Sequence, residues 1–194
     1  MSVSNVKEYW SNRYAKQGYL TTGFNGHNEK QMEQNYNERI EFIQHKINWK
    51  IDAELILDFG CGVGRYFPML EGYGNYYGYD VNQWAIDLCN NKLSRLDKSE
   101  LEFNNEFSNE EPESCTTLFT STVLQHNTDE EVLRILTKYK SAEVFLLYEF
   151  TGKSNAPHMA SRSVEDYERL SGKELKEFYS HITHGEQHSL IILG

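Results

Sequence analysis

The apolar positions of this chain change period several times, and each change marks an element. Val6, Tyr9, Trp10 and Tyr14 stand at helical spacing and predict a short amphipathic helix near the start. Gly18, Gly23, Asn25 and Gly26 then break the pattern into a loop. Tyr36, Ile40, Ile43 and Ile47 recur at intervals of four, three and four, so a longer helix is expected over 29–48. Glu54 to Asp58 (ELILD) is a compact apolar run that ends in an acid and stops at glycines, as a buried parallel strand does. A helix is expected to open near Gly64. Tyr76 to Tyr79 forms a second strand leading to Asp80, and Asn82 is placed to cap a helix carrying Ala85, Cys89, Leu93 and Leu96.

Leu101 and Phe103 mark a short third strand, and Cys115 to Ser121 (CTTLFTS) a fourth. Thr128 and Glu131 make a capping-box pattern ahead of Val132, Leu133, Ile135 and Leu136. Val144 to Tyr148 reads as a fifth strand. Gly152, Asn155 and Pro157 form a loop after it, then a helix is expected near 163–170. Phe178 to Leu193 reads as a hairpin turning near His184-Gly185. Strands alternating with helices predict a three-layer α/β/α fold whose sheet is mostly parallel, with an antiparallel hairpin at the C-terminal end. No repeat or linker interrupts the chain, and 194 residues suit one domain spanning 1–194.

Charge and cysteine content narrow the partners. The formal net charge of −10 works against phosphate-backbone binding, which needs Lys and Arg to displace counterions, so a nucleic-acid partner is disfavoured. The same field favours cations. Cys61, Cys89 and Cys115 are widely spaced and odd in number, which suits a reduced, cytoplasmic protein. There is no leader pattern and no run of about 18 apolar residues, so no membrane span is predicted. Composition says nothing of oligomeric state.

The chemistry gathers at the first strand-to-helix turn, Gly60-Cys61-Gly62-Val63-Gly64. In parallel sheets ligands bind beyond the carboxyl ends of the strands, and glycines let the backbone approach them. Free N–H groups of the following helix would suit a carboxylate. The spacing is G-x-G-x-G; the third glycine of a dinucleotide fingerprint would fall at position 65, which is Arg65. Asp58 also stands two residues ahead of the first glycine. Both features point away from a pyrophosphate-bearing cofactor.

Ile56 to Tyr66 (ILDFGCGVGRY) resembles the first motif of the class I S-adenosylmethionine-dependent methyltransferases, a Rossmann-like family. Asp80 is similar to the acid this family sets on the ribose hydroxyls, and Thr120 to His126 resembles its segment after strand four. Glu8 to Tyr14 resembles the lid helix ahead of many small-molecule members, with 1–49 as a helical cap. The resemblance implies S-adenosylmethionine as cofactor. It implies backbone contacts at Gly60, Gly62 and Gly64, the amino-acid end at Asp58 and the ribose at Asp80. Asn104, Ser121, Trp10 and Tyr14 complete the implied cofactor set, while Trp10 and Tyr14 also read as core and Asp80 as a helix cap.

His126 and Glu149 are the candidate bases for a hydroxyl or ammonium acceptor, with His126 open to a structural reading as well. His158 belongs to the loop expected to shape the acceptor pocket. His181, His184 and His188 invite a metal, but residues three apart on a strand point to opposite faces, and no metal is predicted.

The DNA amino-methyltransferases carry an Asn/Asp-Pro-Pro-aromatic motif and the cytosine-C5 enzymes a Pro-Cys nucleophile. The only prolines here are Pro68, Pro112 and Pro157, and neither motif is present. The expected reaction is therefore direct displacement of the sulfonium methyl by a small-molecule acceptor. A protein acceptor, or a non-catalytic relative that binds the cofactor and works through partners, remains open. A nucleotide-dependent oxidoreductase is disfavoured by Arg65.

Overall fold

The first apolar run becomes β1 (Leu55–Phe59), buried at Ile56, Leu57, Asp58 and Phe59. The computed structural model describes residues 6–22, 28–47, 53–97, 99, 101–153, 159–183 and 185–194. Gly23, Asn25, Gly26, Asn155, Pro157, His158 and His184 lie outside these.

Two units divide the chain, one of them Lys7–Glu111 and the other taking in Pro112–Gly194. In the first, β1 pairs parallel with β2 (Asn75–Tyr79), from Leu55 opposite Asn75 to Phe59 opposite Tyr79. β2 pairs parallel with β3 (Asn105–Ser108), Tyr79 opposite Ser108. Helices α1 (Val6–Gln17), α2 (Glu29–Ile47), α3 (Phe67–Leu70) and α4 (Gln83–Leu93) accompany them. α2 buries Met32, Tyr36, Ile43 and Ile47, a stripe at helical period. Asn82 caps α4, its side chain accepting the Ala85 N–H at 3.2 Å. Leu96, expected on that helix, lies beyond its end and is 44% exposed.

Two further expectations in this unit are corrected. The third strand is Asn105–Ser108, not Leu101 and Phe103. Phe107 anchors it, 5% exposed and edge-on to Phe67 and Tyr76, whereas Leu101 and Phe103 are only partly covered. Its ring fills the place a side chain at Gly78 would take, since a Cβ there would sit 2.5 Å from Phe107 Cδ1. The helix expected to open near Gly64 starts only at Phe67 and runs four residues. The segment Glu71–Tyr73 continues as a 3₁₀ turn, so the turn N–H groups are not those of a long helix.

In the second unit, β4 (Thr117–Ser121) pairs parallel with β5 (Val144–Phe150), and β5 antiparallel with β7 (Glu186–Leu193). β7 pairs antiparallel with β6 (Leu175–Thr183), the C-terminal hairpin. Helices α5 (Asp129–Lys138) and α6 (Val164–Ser171) complete the unit. Thr128 caps α5 through the Glu131 N–H at 3.3 Å, while the Glu131 carboxylate turns to Arg134 at 2.9 Å. The fuller capping box belongs to α6, where Ser163 and Asp166 bond reciprocally. The fold class is the expected one: seven strands, mostly parallel with antiparallel C-terminal strands, flanked by helices. No described helix is long and apolar enough to cross a membrane.

Candidate cofactor site

At the carboxyl end of β1 the chain turns over the end of β2. The N–H groups of Gly60 and Cys61 both donate to the Tyr79 carbonyl, at 2.7 and 2.9 Å. Gly60, Gly62 and Gly64 all lie in the left-handed region, with φ of 79°, 54° and 72°. Gly64 has a second reason to lack a side chain. A Cβ there would meet Cys89 Sγ at 3.1 Å and the Phe107 ring at 3.2 Å.

Asp80 immediately follows β2 and ties the turn to α4. Its Oδ2 accepts the Gly62 N–H at 3.0 Å and its Oδ1 the Asn82 N–H at 2.8 Å. Burial raises its carboxyl above the ordinary range, and those two N–H groups oppose the rise. A carboxylate offers about four acceptor positions, so about two are left for further donors. Asp58 is more enclosed, 1% exposed, with Oδ2 accepting the Tyr76 hydroxyl at 2.8 Å. Burial pushes its carboxyl up to about 7; the Tyr76 bond lowers it and the Asp80 charge raises it. The thiols of Cys61 and Cys89 point at the Gly62 carbonyl, at 3.7 and 3.5 Å.

α1 lies against this turn. Tyr14 is 6% exposed and clusters with Val63 and Ala85, with Trp10, Tyr19 and Leu88 packed around them. Its ring is 5.5 Å from that of Trp84, and Ser11 Oγ accepts the Asn82 side-chain N–H at 3.4 Å. Burial, then the charge of Asp80, hold the Tyr14 hydroxyl well above its usual pKa. Asn104 does not join this group. It precedes β3, at the amino end of a parallel strand, where its carbonyl accepts from Tyr76 N at 2.9 Å and its N–H donates to Asn75 Oδ1 at 3.0 Å. The expectation placed it after the strand because the strand itself was placed four residues early. At the carboxyl end of β3 stand Ser108 and Asn109 instead.

In the second unit, Ser121 ends β4, half-buried. Thr122 has φ of 56°, a strained turn for a β-branched residue, held by its N–H to the Tyr148 carbonyl at 2.8 Å. Glu149, fully buried, secures the chain on either side of that turn. Thr120 Oγ1 and the N–H groups of Val123 and Gln125 donate to it at 2.9, 3.1 and 3.3 Å. Burial pushes its carboxyl up to about 7, opposed by Thr120 and the backbone donors. With no exposed surface and its oxygens engaged, Glu149 positions the segment after β4. The expectation that it acts as base gives way to that role. His126 closes the 3₁₀ turn Leu124–His126 and is half-buried, its Nε2 3.5 Å from Gln125 Nε2. Arg162 fastens the same turn, donating to Leu124 O at 2.8 Å, Asn127 O at 2.7 Å and Asp129 Oδ1 at 2.9 Å.

Residues 57–140 match the family model described as a methyltransferase domain. That match, to a methyltransferase domain, agrees with the resemblance of the glycine turn to the class I S-adenosylmethionine-dependent methyltransferases. The matched methyltransferase domain supports an enzyme. No curated protein matches the sequence significantly. Among solved structures this chain is similar to magnesium protoporphyrin IX methyltransferase from Synechocystis PCC 6803 with bound S-adenosylhomocysteine: 15% identity, TM-score 0.72, 97% of each chain. It is similar to a SAM-dependent methyltransferase from Leishmania major, at 14% identity and TM-score 0.72, over 97% of this chain and 81% of the other. A cyclopropane synthase from Mycobacterium tuberculosis matches at 13% identity and TM-score 0.62, over 80% and 66%. At these identities the likeness is one of fold.

Three supports of these turns escaped the sequence. Tyr76 could be found only as the strand partner that brings a hydroxyl to Asp58. Gln125 receives the Phe150 N–H on Oε1 at 3.0 Å, and Arg162 reaches its partners from 35 or so residues away in sequence. No local pattern announces either.

Proposed function

We propose that this methyltransferase binds S-adenosylmethionine at the glycine turn and passes its methyl to a small-molecule acceptor by direct displacement. The observation that carries the reading is Asp80. It stands buried at the end of β2, bound to the N–H groups of Gly62 and Asn82, with acceptor capacity in reserve for a pair of hydroxyls. That donor demand fits a ribose. The cramped, left-handed glycines fit a ligand that must lie against bare backbone.

When bound, S-adenosylmethionine supplies a methyl group on a sulfonium leaving group. The chain's part is then to hold and orient, and proximity supplies much of the acceleration. Gly60, Gly62 and Gly64 present backbone to the ligand. Asp80 accepts from the ribose hydroxyls. Asp58, kept from solvent and braced by Tyr76, offers its carboxyl to the amino-acid end. Trp10 and Tyr14 on α1 shield the turn from water. Ser108 and Asn109 replace Asn104 as the residues assigned to the base, and Ser121 keeps a contact role. His126 is assigned as the proton acceptor when the nucleophile is a hydroxyl or an ammonium.

The acceptor class rests on charge and on what is missing from the sequence: a net charge of −10 and no nucleic-acid methylation motif. The small-molecule acceptors in the names of the structural neighbours, a porphyrin among them, lend support of the same kind. The test is transfer of label from methyl-tritiated S-adenosylmethionine into a fractionated metabolite extract. Counts in a small-molecule fraction are expected; counts confined to protein or nucleic acid would overturn the acceptor class. His126→Ala should lower turnover with S-adenosylhomocysteine affinity unchanged.

A further inference from the structure

The short α3 leaves space in the first unit. α3 stops after four residues, and Gly74 carries the chain into β2 with its Cα against the Ala53 carbonyl, where a Cβ would stand 1.8 Å from that oxygen. Between α2, α3 and α4 a cavity of about 530 Å³ remains. Val63, Gly64 and Arg65 form one wall, while Gly60, Gly62 and Asp80 do not line it. The volume falls within the roughly 300–1,000 Å³ of small-molecule sites.

The walls specify chemistry. Tyr19, Tyr36, Phe67 and Phe107 contribute rings, with Leu93 among the aliphatic neighbours. Arg65 is already engaged: its guanidinium lies 4.0 Å from the Tyr19 ring and 4.6 Å from that of Tyr36, and donates to Tyr19 Oη at 2.8 Å. Lys92 rests on the Val63 carbonyl at 3.5 Å and on the Tyr19 face at 5.1 Å. Glu71, also in the lining, has a buried Oε2 with no hydrogen-bond partner. An unsatisfied buried oxygen of this kind calls for a donor. Burial accordingly raises the Glu71 carboxyl above its ordinary range.

We infer that this cavity is a second small-molecule site, behind the cofactor turn, for a primary amine on a flat aromatic body. The ammonium sits on the Glu71 carboxylate and the ring lies against Phe67 and Phe107, since Arg65 and Lys92 already cover Tyr19 and Tyr36. A carboxylate ligand would meet Glu71 and Glu33, whereas the cations of the lining, Arg65 and Lys92, are already engaged with Tyr19, Tyr36 and the Val63 carbonyl; the net charge of −10 also draws cations rather than anions. Because Val63 to Arg65 are shared with the glycine turn, an amine there acts as an effector and not as the methyl acceptor. That last point rests on the cofactor reading above.

The test is calorimetric titration of tryptamine into the full chain, alone and with S-adenosylhomocysteine at saturation. Saturable binding is expected in both conditions. It should weaken about tenfold in Glu71→Gln, the loss of one charge-assisted contact. Leu93→Trp, which fills the cavity, should abolish it. No saturable binding into the millimolar range, equal binding by wild type and both variants, or displacement by S-adenosylhomocysteine would overturn the inference. A chain that takes up tryptamine but not S-adenosylhomocysteine supports the pocket and removes the cofactor reading; the reverse result does the opposite.

Discussion

Replacing Asp80 by Asn alters the proposed ribose contact with the least change of shape. In the wild type both carboxylate oxygens accept backbone N–H groups, from Gly62 at 3.0 Å and Asn82 at 2.8 Å. An amide keeps one of those acceptors and turns a donor toward the other. Two effects should separate. The free protein loses one buried charge-assisted bond, about 1–3 kcal/mol, seen as a lower midpoint in a urea melt. The ligand loses the charged acceptor for its hydroxyls, a further cost of about 3 kcal/mol, or roughly 150-fold in affinity. Calorimetric titration of S-adenosylhomocysteine into wild type and Asp80→Asn, at a temperature where both are folded, reads the second effect alone. A folded variant whose affinity stays within about twofold of wild type would refute the reasoning, because a carboxylate on a diol cannot be worth so little.

The same geometry has other consequences. Gly64→Ala should destabilise the chain by about 1–3 kcal/mol, since a Cβ would press on Cys89 Sγ and the Phe107 ring at a φ of 72°; a urea melt checks it. Arg162→Met should cost about 3 kcal/mol and speed hydrogen exchange in the turn Leu124–His126, whose end it holds through the Leu124 and Asn127 carbonyls. Asp58 and Glu149 have folded pKa values raised to about 7 from ordinary values of 3.8 and 4.5. Between those limits the folded state holds more protons than the unfolded one. Their contribution therefore stabilises in mild acid and is lost as pH climbs through about 7. Melting temperature should fall from pH 5.5 to about 7.5, and Glu149→Gln should flatten that slope; a steeper slope in the variant would contradict the assignment.

Local signals carried the sequence reading where a feature depends on its own neighbours. The run ELILD, the cap at Asn82 and the i, i+3, i+4 stripe of α2 each bury or satisfy themselves within a few residues. The glycine turn was legible for the same reason: its backbone conformation needs glycine and shows glycine. The third strand was not, because what selects Phe107 over Phe103 is the gap at Gly78 on the neighbouring strand, a tertiary fact. Misplacing that strand carried Asn104 to the wrong end of it. Glu149 looked like a rim acid from its place near the end of β5, yet it serves the backbone of the β4 turn through Val123 and Gln125. The sequence reading set no end to the helix after the glycine turn, and the cavity that its shortness leaves depends on what α2 and α4 fail to fill.

Equilibrium dialysis of the wild-type chain against radiolabelled S-adenosylhomocysteine tests the central claim most directly. A glycine turn shaped for this nucleoside should retain it at one equivalent per chain, saturating in the micromolar range. Equal counts on both sides of the membrane at millimolar ligand, with the chain folded, would contradict the account.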